Sequence, residues 1–493
     1  MTASPATGSR FADPISIATV VALSVLPFLL LLPLFGAPIE RDQGTYATIA
    51  RGWTDGAIPY RDLWDSKGPL LFLWYVVSFL GLGETTAAPQ TMAGVVAGLC
   101  VPFVWATAGV LFDRRTALLS AAAFALSFAN VYLQVTANGE VFMLLPLTAG
   151  LWAFAVGAIG GRLRWFVLAG ILTTLAVLTR QSAIWTFIGY GAWLIAVWWR
   201  HPAEHTRLAR AAAALVTGMV LGAVPCVLYF AANGAAADLW YATFGYNLSW
   251  AATQPFWLKL VPPLVSDPLS LLGGILFWAL ALVGIWRLWR RGDRRAWLVL
   301  AVLVASEAAA QTTGKGTAHY AIQLLPTAAI AVGVAVPSAA AHLQRRPVAA
   351  ALAACLLVTL GLAAYAYLQP TVTDRFRVQY TFGDYAADAI DGGTVATAVA
   401  RLTDPDDCVY EWGRSSQVFF LAHRAPCSRW LHDRPSEVDP SVIDGVLADL
   451  KERPPGAIVI TTDRPLPPGL RDLIDARYAL AERVAHAAIY TPR

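Results

Sequence analysis

Charged side chains are scarce in this 493-residue chain, in which Asp, Glu, Lys and Arg together make up 14% of the residues. A soluble globular domain usually contains about 25%. Hydrophobic residues make up 57%, and the mean hydropathy is +0.55. A soluble protein of this length could not bury so much apolar surface in one core. The composition therefore excludes a disordered chain and predicts a membrane protein with several spans.

Cysteine and an excess of one charge are also lacking. Five cysteines are too few for a disulfide scaffold. Cys408 and Cys427 are the only cysteines of the C-terminal tail, where the sequence fits either a disulfide or two free buried thiols. The net charge of +4 does not indicate a nucleic-acid partner. The chain has no HExxH, CxxC, GxxxxGK[ST] or GxSxG motif, so no cofactor is implied and dependence on a divalent metal is left open.

Apolar runs near 20 residues, the length that crosses a bilayer, predict an all-α polytopic protein with about 11 spans. The runs cover residues 15–36, 91–112, 116–134, 141–159, 165–178, 183–199, 211–231, 269–289, 296–311, 320–341 and 348–368. The first is too long in its apolar core to be a cleaved signal peptide. A further run, 69–83, is too short to span comfortably, and we interpret it as an interfacial or re-entrant segment.

The basic residues predict the orientation. With the N-terminus in the cytoplasm, the cytoplasmic loops hold 15 Lys and Arg residues and the short outer loops hold 7. This bias agrees with the positive-inside rule and predicts a multi-pass protein of the plasma (cytoplasmic) membrane with a cytoplasmic N-terminus. If 69–83 were a full span, every later loop would change sides and the rule would be broken.

The tail differs in composition, because residues 369–493 hold 14 of the 36 basic and 18 of the 32 acidic residues. Residues 407–413 and 456–462 read as short buried strands, and residues 441–453 and 470–484 read as amphipathic helices. We therefore predict a transmembrane domain over 1–368, with an outer catalytic loop at 37–68, and a small α/β domain over 369–493. An odd number of spans places that α/β domain outside the cytoplasm.

The first outer loop is rich in charge, since residues 39–70 carry five acidic and four basic side chains directly after a span. Tyr46, Ile49, Ala50 and Trp53 recur at helical spacing, which predicts a helix lying on the bilayer. The alternative is a solvated loop with an aromatic belt. A simple connector would need none of these charges, which favours a site.

Further polar residues lie at outer ends of the predicted spans. Each alone is ambiguous, because an ionisable group at a membrane edge can snorkel and a lone histidine is more often structural than catalytic. Together they carry both signs on one side, which predicts a pocket for a charged, membrane-embedded substrate. These residues are Glu140, Arg180, Gln181, Lys315, His319 and Tyr320.

A sugar attached to a lipid phosphate would fit such a pocket. Its anionic leaving group needs positive charge, which Arg180, Lys315 or Arg41 could supply. The acceptor hydroxyl needs a base, and Asp42 or Glu40 could serve.

The stretch ERDQGTYATIARGWTDGAIPYRDLWDSKGPLLFLWY resembles the first outer loop of GT-C membrane glycosyltransferases. It is most similar to the family 39-like branch, with protein O-mannosyltransferases and aminoarabinose transferases. Those carry an Asp-Glu pair after the first span and then a His/Lys-Pro-Pro motif, where this chain has Asp42-Gln43 and Lys67-Gly68-Pro69. The blocks NGEVF, LTRQS and GTAHYAIQLLP also resemble that branch.

The resemblance implies hexosyl or pentosyl transfer, with inversion, from a polyprenyl-phosphate sugar to a lipid-, polysaccharide- or protein-linked acceptor at the outer membrane face. It places Asp42 as the catalytic residue. The expected substrate-binding residues are Glu40, Arg41, Tyr46, Tyr60, Asp65, Lys67, Glu140, Arg180, Gln181, Lys315, His319 and Tyr320.

Two other functions are alternatives to sugar transfer. A transporter or flippase for a lipid-linked sugar should carry ionisable groups near the middle of its spans, and these spans are almost free of them. A non-catalytic envelope scaffold that presents the tail would not explain the acidic residues of the first loop.

Overall fold

The computed structural model describes residues 13–312, 316–380 and 385–493. Its internal contacts divide the chain into two compact units. The helical unit contains the described residues up to Phe35, with Gln90–Cys226 and Gln254–Pro370. The mixed unit contains Gly36–Pro89, Val227–Thr253 and Thr371–Arg493. The first outer loop and the tail therefore belong to the same compact unit.

The helical unit follows the predicted apolar runs. Several of its helices begin at an aspartate: Asp13, Asp113 and Asp293 are N-cap residues whose side chains accept hydrogen bonds from backbone N–H groups of the first turn. All three lie at predicted cytoplasmic ends, so capping explains why these acidic residues occur there. The α-helices that lie wholly or largely in this unit are Pro14–Leu31, Ala87–Leu111, Arg114–Ser127, Gly139–Phe142, Leu144–Gly160, Leu163–Thr179, Trp185–Arg200, His205–Ala232, Pro263–Ser266, Pro268–Gly273, Ile275–Arg291, Arg294–Gln311, Leu325–Ala341 and Arg346–Tyr367.

Within the described residues, seven helical segments are long and apolar enough to cross a membrane. They are Pro14–Leu34, Ala87–Leu111, Gly139–Gly160, Gln181–Arg200, Pro202–Ala232, Ala318–Ala341 and Arg346–Tyr367. Two shorter apolar helices, Pro69–Leu82 and Leu163–Thr179, fall below that length. The predicted class of helical, multi-pass membrane protein is confirmed, and the count of 11 spans stays a prediction.

Glycines let helices of this unit approach closely. A Cβ added to Gly284 would lie 1.9 Å from the carbonyl oxygen of Ala331, and one added to Gly218 would lie 2.0 Å from that of Val167. Small residues at such crossings allow the backbone-to-backbone packing that is common between membrane helices.

The mixed unit is built around a five-stranded sheet, with the order β2-β1-β3-β5-β4. Strand β1 pairs in parallel with β2 and β3, whereas β5 pairs antiparallel with β3 and β4. The predicted small α/β region is confirmed. The strands are β1 Cys408–Trp412, β2 Ala425–Pro426, β3 Ala457–Ile460, β4 Tyr478–Val484 and β5 Ala487–Pro492, and the helices are Arg41–Thr54, Pro69–Leu82, Ala236–Trp240, Tyr246–Thr253, Val372–Gln379, Tyr385–Leu402, Gln417–Leu421, Pro435–Val438, Val442–Glu452 and Pro468–Arg477.

A disulfide joins Cys408, at the start of β1, to Cys427, just after β2. Of the two possibilities that the sequence left open for these cysteines, the structure therefore has the bonded one.

One predicted helix of the tail is wrong in its second half. The helix expected over 470–484 ends at Arg477, and residues Tyr478–Val484 form β4. They pair with β5 in a hairpin whose two-residue turn includes Ala485, at φ +50°. The ladder of hydrogen bonds to β5 outweighs the helix propensity of the Ala-Leu-Ala-Glu stretch, because propensity is a weak preference that tertiary pairing overrides.

Helix Arg41–Thr54 packs against helix Gln417–Leu421 of the tail. Gly44 lies so close that an added Cβ would fall 2.2 Å from the Cα of Gln417. The hydroxyl oxygens of Thr45 and Ser416 lie 2.6 Å apart, within hydrogen-bond distance. Buried residues line this helix, among them Tyr46, which is 1% exposed. These contacts exclude the alternative of a solvated loop.

Candidate functional site

The first group of predicted site residues is positioned by helix Arg41–Thr54. Glu40 is the N-cap residue and Asp42 lies in the first turn. A helix N-terminus stabilises a nearby carboxylate, which favours an ionised Asp42. Glu40 is only 4% exposed, and its Oε1 accepts a hydrogen bond of 3.1 Å from Nε2 of Gln43. The two acidic residues therefore differ: Glu40 is buried and hydrogen-bonded, whereas Asp42 is half-buried.

The loop that follows this helix adds a second carboxylate and a lysine. Burial raises the pKa of Asp65, the charge of Lys67 lowers it, and the charge of Asp42 raises it. The carboxyl of Asp65 therefore senses the charges of both Asp42 and Lys67, although more than 20 positions separate Asp42 from Asp65. We call Asp42, Asp65 and Lys67 the carboxylate–lysine cluster.

Aromatic side chains contact Lys67 of this cluster. Tyr60 adopts a positive φ of 72°, and its hydroxyl donates a hydrogen bond of 2.7 Å to the carbonyl of Lys67. The ammonium of Lys67 lies 6.0 Å from the ring centroid of Tyr46. Tyr46 in turn packs edge-on against Tyr75, with ring centroids 5.7 Å apart. The predicted residues Tyr46 and Tyr60 therefore support Lys67.

Arg41 points to the tail instead. Its guanidinium carbon lies 3.9 Å from the ring centroid of Tyr385, and its carbonyl accepts a hydrogen bond of 3.0 Å from the hydroxyl of Ser416. These contacts hold Arg41 against the tail, and its role in substrate binding stays a prediction.

His432, in the tail, belongs to the surroundings of the cluster and was missed by the sequence analysis. Its ring packs edge-on against Trp64, with centroids 6.0 Å apart. Burial lowers the pKa of His432 to about 3; the positive charges of Arg434 and Lys67 lower it too, whereas Asp42 raises it. In the described part of the chain, its buried Nδ1 has no hydrogen-bond partner. No local motif marks this histidine, because only the fold brings it near Asp42.

The helical unit brings together a second group of predicted residues. Arg180 Nη2 lies 2.8 Å from Glu140 Oε1, and His319 Nε2 lies 3.4 Å from the same oxygen. The guanidinium carbon of Arg180 lies 4.7 Å from the ring centroid of Tyr320. Glu140 and Arg180 are 2% and 8% exposed, so this ion pair is buried.

Two glutamines of that neighbourhood, Gln134 and Gln323, were not predicted as site residues. Nδ1 of His319 lies 3.2 Å from Oε1 of Gln134, and the Ser182 hydroxyl donates a hydrogen bond of 3.0 Å to Oε1 of Gln323. Gln181 begins a short 3₁₀ helix that ends at Ile184. The QVTANGE and HYAIQ stretches contain these glutamines, but glutamine in a membrane span has no spacing that would single it out.

The single pocket expected from both groups stays a prediction. Asp42 belongs to the mixed unit, and Glu140, Arg180 and His319 belong to the helical unit. Lys315 lies outside the described residues. Across residues 13–312, 316–380 and 385–493, no group of three His, Cys, Asp or Glu side chains could hold a metal ion.

Part of this chain matches a family model, and its fold matches solved structures. Residues 67–235 match the family described as dolichyl-phosphate-mannose-protein mannosyltransferase. Sequence comparison with curated proteins finds no match.

Two solved structures share the fold over most of this chain. ArnT from Cupriavidus metallidurans, bound to undecaprenyl phosphate, is 16% identical and has a TM-score of 0.63, with 97% of this chain and 98% of ArnT covered. The archaeal oligosaccharyltransferase AglB from Archaeoglobus fulgidus, in complex with an inhibitory peptide and a dolichol-phosphate, is 12% identical and has a TM-score of 0.55. That match covers 92% of this chain and 70% of AglB. The chain therefore has the fold of the GT-C membrane glycosyltransferases, and its predicted resemblance to mannosyltransferases and aminoarabinose transferases is confirmed.

Proposed function

We propose that this protein is an inverting glycosyltransferase that moves a sugar from a polyprenyl-phosphate donor to a cell-envelope acceptor. The observation that carries the proposal is the carboxylate–lysine cluster at the start of the mixed unit, on a GT-C fold. The bound lipids of the two related structures, undecaprenyl phosphate and a dolichol-phosphate, support a donor of that chemical class.

The reaction follows from the charges of the cluster. An acceptor hydroxyl attacks the anomeric carbon from the side opposite the phosphate, and its proton passes to the carboxylate of Asp42. As the new C–O bond forms, the bond to the phosphate oxygen breaks and its electron pair leaves with the polyprenyl phosphate. Attack from the opposite side inverts the anomeric carbon.

The carboxyls of Asp42 and Asp65 have different environments, which suits different roles. Asp42 lies in the first turn of a helix, where an ionised base is stabilised. Asp65 is buried, which raises its pKa, and its Oδ1 accepts a hydrogen bond from the backbone N–H of Ser66, so this carboxyl is held in a fixed position. Lys67 supplies positive charge for the departing phosphate.

In the helical unit, we propose Arg180 as a residue that can contact a phosphate. Its pairing with Glu140 fixes the guanidinium in a buried position, and Tyr320 supports it from one face. Such a preorganised guanidinium costs little reorganisation when charge develops on a phosphate oxygen.

We further propose that the reaction occurs on the outer face of the plasma membrane, with the transmembrane domain over 1–368 and the extracytoplasmic domain over 369–493. The disulfide between Cys408 and Cys427 supports this location for the tail, because disulfides persist in oxidising compartments.

The test uses the purified full-length protein with radiolabelled polyprenyl-phosphate hexoses and pentoses and an extract of envelope acceptors. We expect labelled product together with free polyprenyl phosphate, and an inverted anomeric configuration by NMR. Movement of intact donor across a vesicle bilayer without cleavage would instead identify a flippase. If the protein neither cleaves nor moves any donor, both the transferase and the flippase functions are contradicted.

A further inference from the structure

A cleft of about 310 Å³ opens in the mixed unit, next to the first outer loop. Its polar walls come from Arg429, Asp439, Ser441 and Asp449. Val442 supplies an aliphatic side chain. Polar and apolar groups therefore share the lining, which suits a ligand that carries both hydroxyl groups and C–H faces. Its volume lies at the lower end of the range of about 300–1,000 Å³ for ligand pockets, which fits a mono- or disaccharide.

In each carboxylate of the cleft, one oxygen accepts hydrogen bonds from the protein. Oδ1 of Asp439 accepts hydrogen bonds from the backbone and hydroxyl of Ser441, at 3.0 and 2.6 Å. Oδ2 of Asp449 accepts one of 2.6 Å from the hydroxyl of Ser428. Among the residues that the structure describes, the other oxygen of each carboxylate has no hydrogen-bond partner, and neither oxygen is fully buried. Each can therefore accept a hydrogen bond from a ligand hydroxyl.

The charge of the cleft indicates which ligands it would reject. Nη2 of Arg429 lies 3.2 Å from Oδ1 of Asp238, so this ion pair largely compensates the guanidinium. The carboxylates of Asp439 and Asp449 then leave the cleft with net negative charge, which repels phosphates and uronic acids. A neutral ligand rich in hydroxyl groups matches the free carboxylate oxygens without that cost.

Aromatic rings complete the cleft and connect it to the carboxylate–lysine cluster. Tyr241 and Trp430 line it, and rings of this kind pack against the apolar C–H face of a sugar. The ring of Trp64 packs near both, with its centroid 5.1 Å from that of Trp430 and 6.5 Å from that of Tyr241. Trp64 also contacts His432, whose pKa is shifted by the charges of Asp42 and Lys67.

We propose that this cleft binds a neutral saccharide of the acceptor and holds it beside the carboxylate–lysine cluster; its role as an acceptor subsite rests on the proposed function. An acceptor glycan long enough to extend past Trp64 and His432 to Asp42 would hold one of its internal sugars against Tyr241 and the two carboxylates. The cleft would thereby select polysaccharide or glycolipid acceptors with an uncharged sugar at that position.

The first test measures binding alone. Fluorescently labelled di- and trisaccharides of mannose, glucose, galactose and arabinose are titrated against the full-length protein in nanodiscs, with an oligogalacturonide as the anionic comparison. We expect at least one neutral saccharide to bind, with an affinity about tenfold lower in Asp449→Asn, because the amide replaces a charge-assisted acceptor. Asp444→Asn, an exposed position on the same helix, is the matched control and should bind like the wild type. Tyr241→Ala should also weaken binding, which provides a second variant if Asp449→Asn folds poorly.

If no neutral saccharide binds, the inference is overturned. It is also overturned if the oligogalacturonide binds equally well, or if Asp444→Asn loses as much affinity as Asp449→Asn. A second measurement separates this inference from the proposed function. In acceptor-dependent transfer, Asp449→Asn should raise KM for the acceptor about tenfold with kcat unchanged. Hydrolysis of the polyprenyl-phosphate donor without an acceptor should be unaffected. Donor cleavage by a wild type that binds no saccharide would leave the proposed function standing and contradict the cleft's role. Saccharide binding without donor cleavage would contradict the proposed function and the acceptor role alike.

Discussion

Glu411, on strand β1, makes the stability of the mixed unit depend on pH. The side chain is fully buried, and its Oε1 accepts hydrogen bonds from the Ser415 backbone, at 3.2 Å, and from the Thr461 hydroxyl. Within the described residues, its buried Oε2 has no partner. Burial raises the pKa of Glu411 to about 8, so the folded protein holds this carboxyl protonated at neutral pH. Glu411→Gln keeps its size and acceptor and removes its titration.

The magnitude follows from the two pKa values of this glutamate. An exposed glutamate in the unfolded chain has a pKa of 4.5, whereas the folded value is about 8. Between these values the unfolded chain binds fewer protons than the folded one, so the free energy of unfolding falls as pH rises. The slope is about 1.4 kcal/mol per pH unit, and over the whole window the loss is on the order of 5 kcal/mol. Glu411→Gln should lack this loss.

The assay compares thermal unfolding of the full-length wild type and Glu411→Gln at pH 5, 6, 7 and 8. We expect the melting temperature of the variant, minus that of the wild type, to increase with pH across this range. Glu452→Gln, at an exposed glutamate, is the control and should run parallel to the wild type. The pKa of His486 is raised by its hydrogen bond to Asp388, so its contribution is also lost as pH rises, but it is common to all three proteins. Parallel curves for Glu411→Gln and wild type would refute the reasoning.

Three further predictions concern packing, charge and orientation. Gly44→Ala should destabilise the mixed unit by about 1–3 kcal/mol, because the added Cβ would overlap Gln417. Gly81→Ala is the control, since an added Cβ there would have no atom within 4 Å, and thermal unfolding should show no loss for that variant. Arg180→Gln should lower the free energy of unfolding by about 3–5 kcal/mol, because it leaves the buried Glu140 carboxylate uncompensated. Adding Glu140→Gln should restore much of this stability in a thermal unfolding experiment. Equal stability of the single and double variants would contradict this prediction. Alkaline phosphatase fused after residue 368 should be active, and activity of a cytoplasmic reporter fused there would overturn the predicted orientation.

The helices and their polar ends could largely be predicted from sequence, because a long apolar run has few alternatives to a helix in a bilayer. The stretch Tyr478–Val484 was not predictable in this way. Its residues fit a helix locally, and only pairing with β5, which follows in the chain, makes them a strand. Secondary structure that depends on a partner strand is not encoded in the period of one segment.

The residues of the candidate site also differ in whether a local sequence signal marks them. The sequence indicates Asp42 and Lys67 as candidates because they lie in one charged loop beside a span, and it indicates Glu140 and Arg180 because charge at a span end is conspicuous. His432 was missed, since nearly 400 residues separate it from Asp42 and nothing in its neighbourhood marks it. The docking of the first loop on the tail was missed for the same reason.

The central claim, that Asp42 is the base of a polyprenyl-phosphate-dependent glycosyltransferase, is tested most directly by the transfer rate of Asp42→Asn. Asn keeps the size and hydrogen bonds of Asp42 but cannot take the proton of the acceptor, so we expect the rate to fall by about 10²–10⁴. Asp55→Asn, at the exposed C-terminal end of the same helix, is the matched control and should retain wild-type turnover.

Glu40→Gln should cost less than Asp42→Asn, because Glu40 is already hydrogen-bonded to Gln43 in a buried position. An inactive Glu40→Gln beside an active Asp42→Asn would keep the mechanism and move the base to Glu40. With donor and acceptor in excess, we expect a well-folded Asp42→Asn protein to transfer sugar at least about a hundredfold more slowly than Asp55→Asn. Near wild-type turnover of Asp42→Asn would contradict the role of Asp42 as the base.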